Sequence, residues 1–148
     1  MDNQKIGIMG GTFNPIHYGH LLLAQTAREA LSLDKILFMP SGNSYMKEAS
    51  CILSGDIRGQ MVRLALKGNP YFIFSDLELQ RQGPTYTCDT LAILKERMPQ
   101  AQYYFILGED NLLTIKKWKN PEFILKNCVI AGAVRESENT SRILDAAK

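Results

Sequence analysis

A chain of 148 residues, 45% hydrophobic and 22% charged, is long enough to bury one core and has the balance of a folded globular protein, not a disordered one. Its net charge of +2 gives no global reason to expect a nucleic acid or a membrane surface as partner. Three cysteines (Cys51, Cys88, Cys128) are odd in number, widely spaced and free of any CxxC pair, which argues against a disulfide framework or zinc site and predicts a reducing, cytoplasmic setting. Met1–Lys5 has no apolar signal core, and no run approaches membrane-spanning length.

Strand-like and helical patterns alternate along the chain, as in a parallel α/β sheet. Lys5–Met9 reads as the first strand, followed by a helix over Gly19–Leu31 with Leu23, Ala27, Ala30 and Leu31 at burial spacing. Ile36–Met39 is the second strand, stopped by Pro40. From Pro40 to Gly55 the chain is rich in Gly, Ser and Asn, and reads as a long loop of the kind that often serves as a lid. A helix is expected over Ile57–Lys67, with Met61, Leu64 and Ala65 on one face, closed by Gly68-Asn69-Pro70. Tyr71–Phe74 is a third strand, and alternation extends it over Asp76–Leu79. Thr87 or Asp89 then caps a helix over Thr90–Arg97 that Pro99 closes. A fourth strand covers Tyr103–Leu107, short helices cover Asn111–Ile115 and Pro121–Lys126, and a fifth strand covers Cys128–Val134. The polar tail carries a weak helix signal near Arg142–Ala147.

One stretch organises the rest: Gly10-Gly11-Thr12-Phe13-Asn14-Pro15-Ile16-His17-Tyr18-Gly19-His20. Two glycines at a strand end let the backbone turn and let a ligand approach with no Cβ in the way. A helix starting nearby aims N–H groups and a positive dipole end at the same spot. His17 and His20 are the chain's only histidines and fit one side of a helical turn, where each can donate a hydrogen bond. Alone, a Gly-Gly turn or a histidine is most often structural; together they read as a phosphate grip at the mouth of a sheet. Other polar groups also gather after strand ends, at Pro40–Asn43 and Gly108–Asp110, where open parallel sheets bind ligands. Trp118, the only tryptophan, sits among Lys116, Lys117 and Lys119, which suggests an exposed ring available for stacking.

The Gly10–His20 stretch resembles the signature of the HxGH nucleotidylyltransferases, and its wording is closest to bacterial nicotinate mononucleotide adenylyltransferases. The resemblance continues, with breaks, to about Ile130. It implies a Rossmann-like parallel sheet with helices on both faces, in a single domain over residues 1–148. It implies adenylyl transfer from ATP to nicotinate mononucleotide, with Mg²⁺ carried on the phosphates and no metal site of the protein's own. By that likeness His17 and His20 are the catalytic phosphate donors, joined by Gly10, Gly11, Thr12, Phe13 and Asn14 at the nucleotide. Asn43-Ser44-Tyr45-Met46-Lys47 is similar to the family's Asn-Pro-Pro-His-basic motif in Asn43 and Lys47 but lacks the Pro-Pro-His. Thr85-Tyr86-Thr87-Cys88-Asp89-Thr90-Leu91 resembles the Tyr-Thr-x-Asp-Thr-Leu motif, in which Thr85 and Tyr86 present backbone groups to the pyridine carboxylate. Gly108-Glu109-Asp110 resembles Gly-Ala-Asp, with Asp110 placed to accept ribose hydroxyls, and Trp118 matches the family's pyridine-stacking tryptophan.

The family's C-terminal Ile-Ser-Ser-Thr-x-Ile-Arg motif, which holds the triphosphate, has no match, and Ala133-Val134-Arg135-Glu136 replaces its Arg-Pro-Gly. Two explanations stand: a truncated or altered chain whose core still folds, or another segment that supplies those contacts. The alternatives to pyridine-nucleotide adenylyl transfer are transfer to another phosphate monoester such as phosphopantetheine, or a nucleotide-binding module with impaired catalysis. The expected partners are ATP and a pyridine mononucleotide, without nucleic acid or membrane, and a homo-oligomer is left open.

Overall fold

A computed structural model describes residues 4–11, 13, 16–41, 54–80, 86–108, 115–135 and 141–145, with only the backbone described at 116, 133–135 and 141–145. Six strands form one sheet: β1 (Lys5–Gly11), β2 (Lys35–Pro40), β3 (Phe72–Phe74), β4 (Gln102–Leu107), β5 (Val129–Arg135) and β6 (Ser141–Asp145). They lie in the order β3-β2-β1-β4-β5-β6. Strands β1 to β5 are parallel and β6 is antiparallel to β5. The chain steps outward from β1 to β2 and β3, then returns to lay β4 on the other side of β1. That reversal creates a switch point beyond the carboxyl ends of β1 and β4, where such sheets bind ligands.

Strand residues alternate between two apolar layers, so both faces of the sheet must be covered. Ile6 and Ile8 of β1, with Tyr103 and Phe105 of β4, pack under α3 (Thr87–Arg97) and α4 (Pro121–Asn127) through Leu91, Leu94 and Ile124. Met9, Ile36, Phe38 and Ile106 pack on the opposite face under α1 (Tyr18–Leu31) and α2 (Gly55–Leu66) through Ala24, Ala27, Val62 and Leu66. Gly7 is dictated by this packing, because a Cβ there would stand 2.8 Å from Leu33 Cδ1 and 3.1 Å from Ile106 Cδ1. Cys88 and Cys128 are free and buried, and burial pushes the Cys128 thiol up to about 12, so neither is an activated nucleophile.

Several expectations are corrected. Asp76–Leu79 does not extend β3; residues 77–80 form a turn in which Gln80 N–H donates to the Asp76 carbonyl at 3.1 Å. Stepping the β2–β3 register on from Ile36 N–H to Tyr71 O brings Pro40 to the Ser75 carbonyl, and Pro40 has no N–H to give. Of the tail segment near Arg142–Ala147, residues 142–145 are not helical: Ser141–Asp145 is β6, paired from Arg135↔Ser141 to Ala131↔Asp145, and residues 146–147 lie outside the described residues. A single short turn of helix is marginal on its own, whereas the free edge of β5 supplies a partner for a whole strand. On α2 the buried positions are Arg58, Gly59, Val62 and Leu66, not the Met61/Leu64 face, and Leu64 is 70% exposed. Gly59 faces inward, where a Cβ would stand 3.2 Å from Leu79 Cδ1, so the close approach suits a residue without a side chain. On α1 the buried pair is Ala24 and Ala27, while Ala30 is exposed. The N-cap of α3 is Tyr86, with no side-chain cap bond, so Thr87 and Asp89 lie inside the first turn. Within the expected Asn111–Ile115 helix only Ile115 is described, and it opens a 3₁₀ turn over Ile115–Lys117.

Candidate active site at the switch point

The two histidines meet at the start of α1. His17 is the N-cap, in an extended conformation, and its Nδ1 accepts from the Gly19 N–H at 3.1 Å. His20, at the third helical position, returns the favour: its Nδ1 accepts from the His17 N–H at 3.0 Å. This is a capping box built from two imidazoles, where the usual pair is a hydroxyl and a carboxylate. The rings stack with centroids 3.9 Å apart and an interplanar angle of 29°. A ring nitrogen that accepts carries no proton, so each imidazole bears its proton on Nε2. Both Nε2–H groups are therefore donors, held by backbone contacts behind them.

The cap changes where the helix presents its positive end. The Gly19 N–H is taken by the His17 ring and the His20 N–H by the His17 carbonyl at 3.0 Å, so these first-turn amides are not open to a ligand. His17 accepts at Nδ1 and donates at Nε2, so the helix N-terminus polarises the outward donor through the ring. Burial lowers the His20 pKa to about 4, with repulsion from His17 as the second cause. His20 thus acts at neutral pH as an uncharged donor.

Gly19 is explained by the same geometry. A Cβ on it would lie 2.9 Å from His17 Cε1 and 3.1 Å from Nδ1, so the glycine makes room for the capping ring. Phe13 stands behind His20 with its ring edge-on at 4.8 Å and 79°, and is itself buried against Phe38. Its φ of 50° is a left-handed conformation unusual for an aromatic residue, a strain of the sort concentrated at functional sites. The ring of Phe13 is thus a support for His20 from within the core.

Gly10 and Gly11 end β1 opposite Met39 and Pro40. Among the described residues, a Cβ at Gly11 would meet only Phe13 Cζ at 3.9 Å, and one at Gly108, just past β4, would meet nothing within 4 Å. Among the described residues, no side chain or backbone atom crowds these two positions, which end β1 and follow β4. Trp118 lies on the α3/α4 side, half-buried, in T-shaped contact with Phe105 at 6.2 Å. Phe105 Cζ in turn is 3.7 Å from where a Gly10 Cβ would stand. The expectation of an exposed Trp118 ring is therefore corrected to a ring with one side packed. Lys119 lies over the Tyr86 ring at 4.6 Å and 3.7 Å from the Asp89 carboxylate, so residues 118–119 adjoin the start of α3.

Of the expected site residues, the structure gathers His17, His20, Phe13, Gly10 and Gly11 on one side and Tyr86 and Trp118 on the other, with Gly108 at the adjoining strand end. Thr12, Asn14, Asn43, Lys47, Thr85 and Asp110 lie outside the described residues. Among the described residues no cluster of three or more His, Cys, Asp or Glu could hold a metal, and both imidazoles have committed their accepting nitrogens. Missed by sequence reasoning were Arg58, only 2% exposed, and the buried bond from Thr90 Oγ1 to Glu78 Oε2 at 2.7 Å. The spacing of Arg58, Val62 and Leu66 was the available signal, since it places a charge in phase with an apolar stripe.

A doubly wound sheet with a glycine-ended first strand and two imidazole donors at its switch point defines a nucleotidyltransferase of the cytidylyltransferase-like class, whose sequence pattern matches residues 8–146. Two relatives named "Probable nicotinate-nucleotide adenylyltransferase" are similar over nearly the whole chain. The one from Lachnoclostridium phytofermentans is 43% identical over 141 residues, covering 95% of this chain and 70% of the relative. The one from Dehalococcoides mccartyi is 45% identical over 136 residues, covering 91% and 67%. The chain belongs to the nicotinate-nucleotide adenylyltransferase family. A solved Plasmodium falciparum nicotinic acid mononucleotide adenylyltransferase, complexed with NaAD, has the same fold, with a TM-score of 0.80 at 23% identity over 91% of this chain and 66% of that one.

Proposed function

We propose that the chain transfers the adenylyl group of ATP to nicotinate mononucleotide, giving the deamido dinucleotide and pyrophosphate in NAD biosynthesis. A phosphate oxygen of the mononucleotide forms a bond to the α-phosphorus of ATP. The bond from that phosphorus to the β-phosphate oxygen breaks, and pyrophosphate leaves with the electron pair. The attacking phosphate is already ionised, so no general base is needed, and catalysis rests on alignment and on donors at the developing charge. His17 and His20 give their Nε2–H groups to phosphate oxygens, Gly10, Gly11 and Gly108 leave room for the nucleotides, and Trp118 stacks on the pyridine ring. By the motif likeness alone, Thr12, Asn14 and Lys47 join the phosphate contacts, Asp110 takes the ribose, and Asn43, Thr85 and Tyr86 take the pyridine nucleotide.

The observation that supports this is the imidazole pair, stacked at 3.9 Å with both Nδ1 atoms accepting from the backbone, which leaves Nε2 as the donor of each ring. Mg²⁺ would enter as an ion carried by the phosphates of ATP, where it would offset their charge. Among the described residues no helix is long and apolar enough to cross a membrane. The test is pyrophosphate release dependent on both substrates and lost in His20→Ala. Wild-type protein that binds mononucleotide in a calorimeter yet releases no pyrophosphate would refute the proposal in favour of a binding module.

A further inference from the structure

Arg58 is one of three polar or charged side chains that the core buries among the described residues, and none of the steps above uses it. It lies in the first turn of α2, where its Nη1 donates to the Ser41 carbonyl at 2.7 Å. Ser41 is the first residue past β2, and its N–H donates to the Gly11 carbonyl at 2.8 Å. Gly11 is the last residue of β1, and Phe13, two residues on, backs the His20 ring at 4.8 Å. A line of hydrogen bonds therefore runs from the α2 guanidinium through Ser41 to Gly11, two residues before the ring that backs a proposed phosphate donor.

We propose that Arg58 is a positioning residue of the adenylyl-transfer site: it pins the exit of β2 to the end of β1 and so fixes the position of Phe13, whose ring aligns His20. The proposal rests on the reading of the site given above. Two features favour this over a purely architectural role. Val62 and Leu66 already supply the apolar contacts of this stripe of α2, so packing alone gives no reason to bury a charge, which carries a desolvation cost. That cost is visible in the direction of the Arg58 pKa, which burial lowers. The bond it makes also falls on the residue whose N–H closes the last rung of the β1–β2 ladder, at Gly11↔Pro40, which is the end of the sheet where the site lies. Arg58 thus holds the end of the β1–β2 pairing that lies nearest Phe13.

The test compares Arg58→Met, which keeps the side-chain bulk, with Arg58→Lys, which keeps the charge and a single donor. In Arg58→Met, kcat per folded molecule should fall about 10-fold or more while KM for both substrates stays within about 3-fold, the signature of lost alignment. Arg58→Lys should lie between it and wild type, and serves as the comparison if the methionine variant does not fold. A kcat within about 2-fold of wild type in both variants overturns the proposal. Hydrogen exchange gives a readout independent of turnover: the Ser41 amide should exchange at least about 10-fold faster in either variant, with the Ile8 and Phe105 amides unchanged. Unchanged exchange at Ser41, or equal acceleration at all three, overturns it. An inactive wild type would sink the assigned reaction and leave the exchange experiment to decide the brace.

Discussion

Adding one methyl group at Gly19 separates the stability of this fold from its activity. In Gly19→Ala the new Cβ would stand 2.9 Å from His17 Cε1, which is about 0.6–1.1 Å inside the ~3.5–4.0 Å optimum for carbon contacts. The ring has to swing away, breaking its 3.1 Å cap bond to the residue 19 N–H and its stack on His20. Loss of the cap costs about 1 kcal/mol. Alanine in place of glycine returns up to about 1 kcal/mol of helix propensity, so the two nearly cancel. At about 2–4 °C per kcal/mol for a chain of this size, the melting temperature should move by only a few degrees. Turnover should fall by roughly 10²–10³, the usual effect of removing one donor from a developing anionic charge. Thermal unfolding and pyrophosphate release on the same preparation check both numbers. Wild-type turnover in Gly19→Ala would refute the idea that the His17 ring has to lie over residue 19 to act, and an unfolded variant would refute the cancellation.

Stability should rise with pH between about 4 and the ordinary histidine value, because the unfolded chain takes up a proton at residue 20 that the folded chain refuses until about pH 4. The effect is present in full above pH 6.5 and gone below about 4, and is smaller than a full proton's worth because the ring is half exposed. Urea titrations of wild type and His20→Asn across that window check it, and equal slopes would contradict it. Trp118→Leu should raise the KM for nicotinate mononucleotide by roughly 5- to 150-fold, from ~1–3 kcal/mol of ring stacking, with little change for ATP. In wild type the lone tryptophan should report the same binding event by fluorescence. Thr90→Val withdraws the donor from the buried Glu78 carboxylate and should cost about 1–3 kcal/mol in denaturant unfolding, without altering KM for either substrate.

What the amino-acid order alone determined here is local. The alternation of apolar residues in Lys5–Met9, Ile36–Met39 and Tyr103–Leu107, the helical spacing after Gly19, and the stopping power of Pro40 and Pro99 place the main elements to within a few residues. The Gly10–His20 signature also places the two imidazoles at a strand end, because the spacing of a glycine turn, a cap and one helical turn is a short-range matter. Other features depended on which surfaces meet. Whether Ser141–Asp145 is helix or strand was decided by the open edge of β5, which no pattern inside the segment reveals. The inward face of α2 is the one that carries Gly59, Val62 and Leu66, and the more hydrophobic Met61/Leu64 side faces out, which only the packing of α2 on the sheet reveals. Composition leaves histidine tautomers open; reciprocal backbone bonds to the two Nδ1 atoms fixed them. Hydrophobic period and turn chemistry act between near neighbours and are written along the chain, whereas burial, hydrogen-bond partners and proton affinity are set by residues far apart in sequence that only the folded sheet brings together.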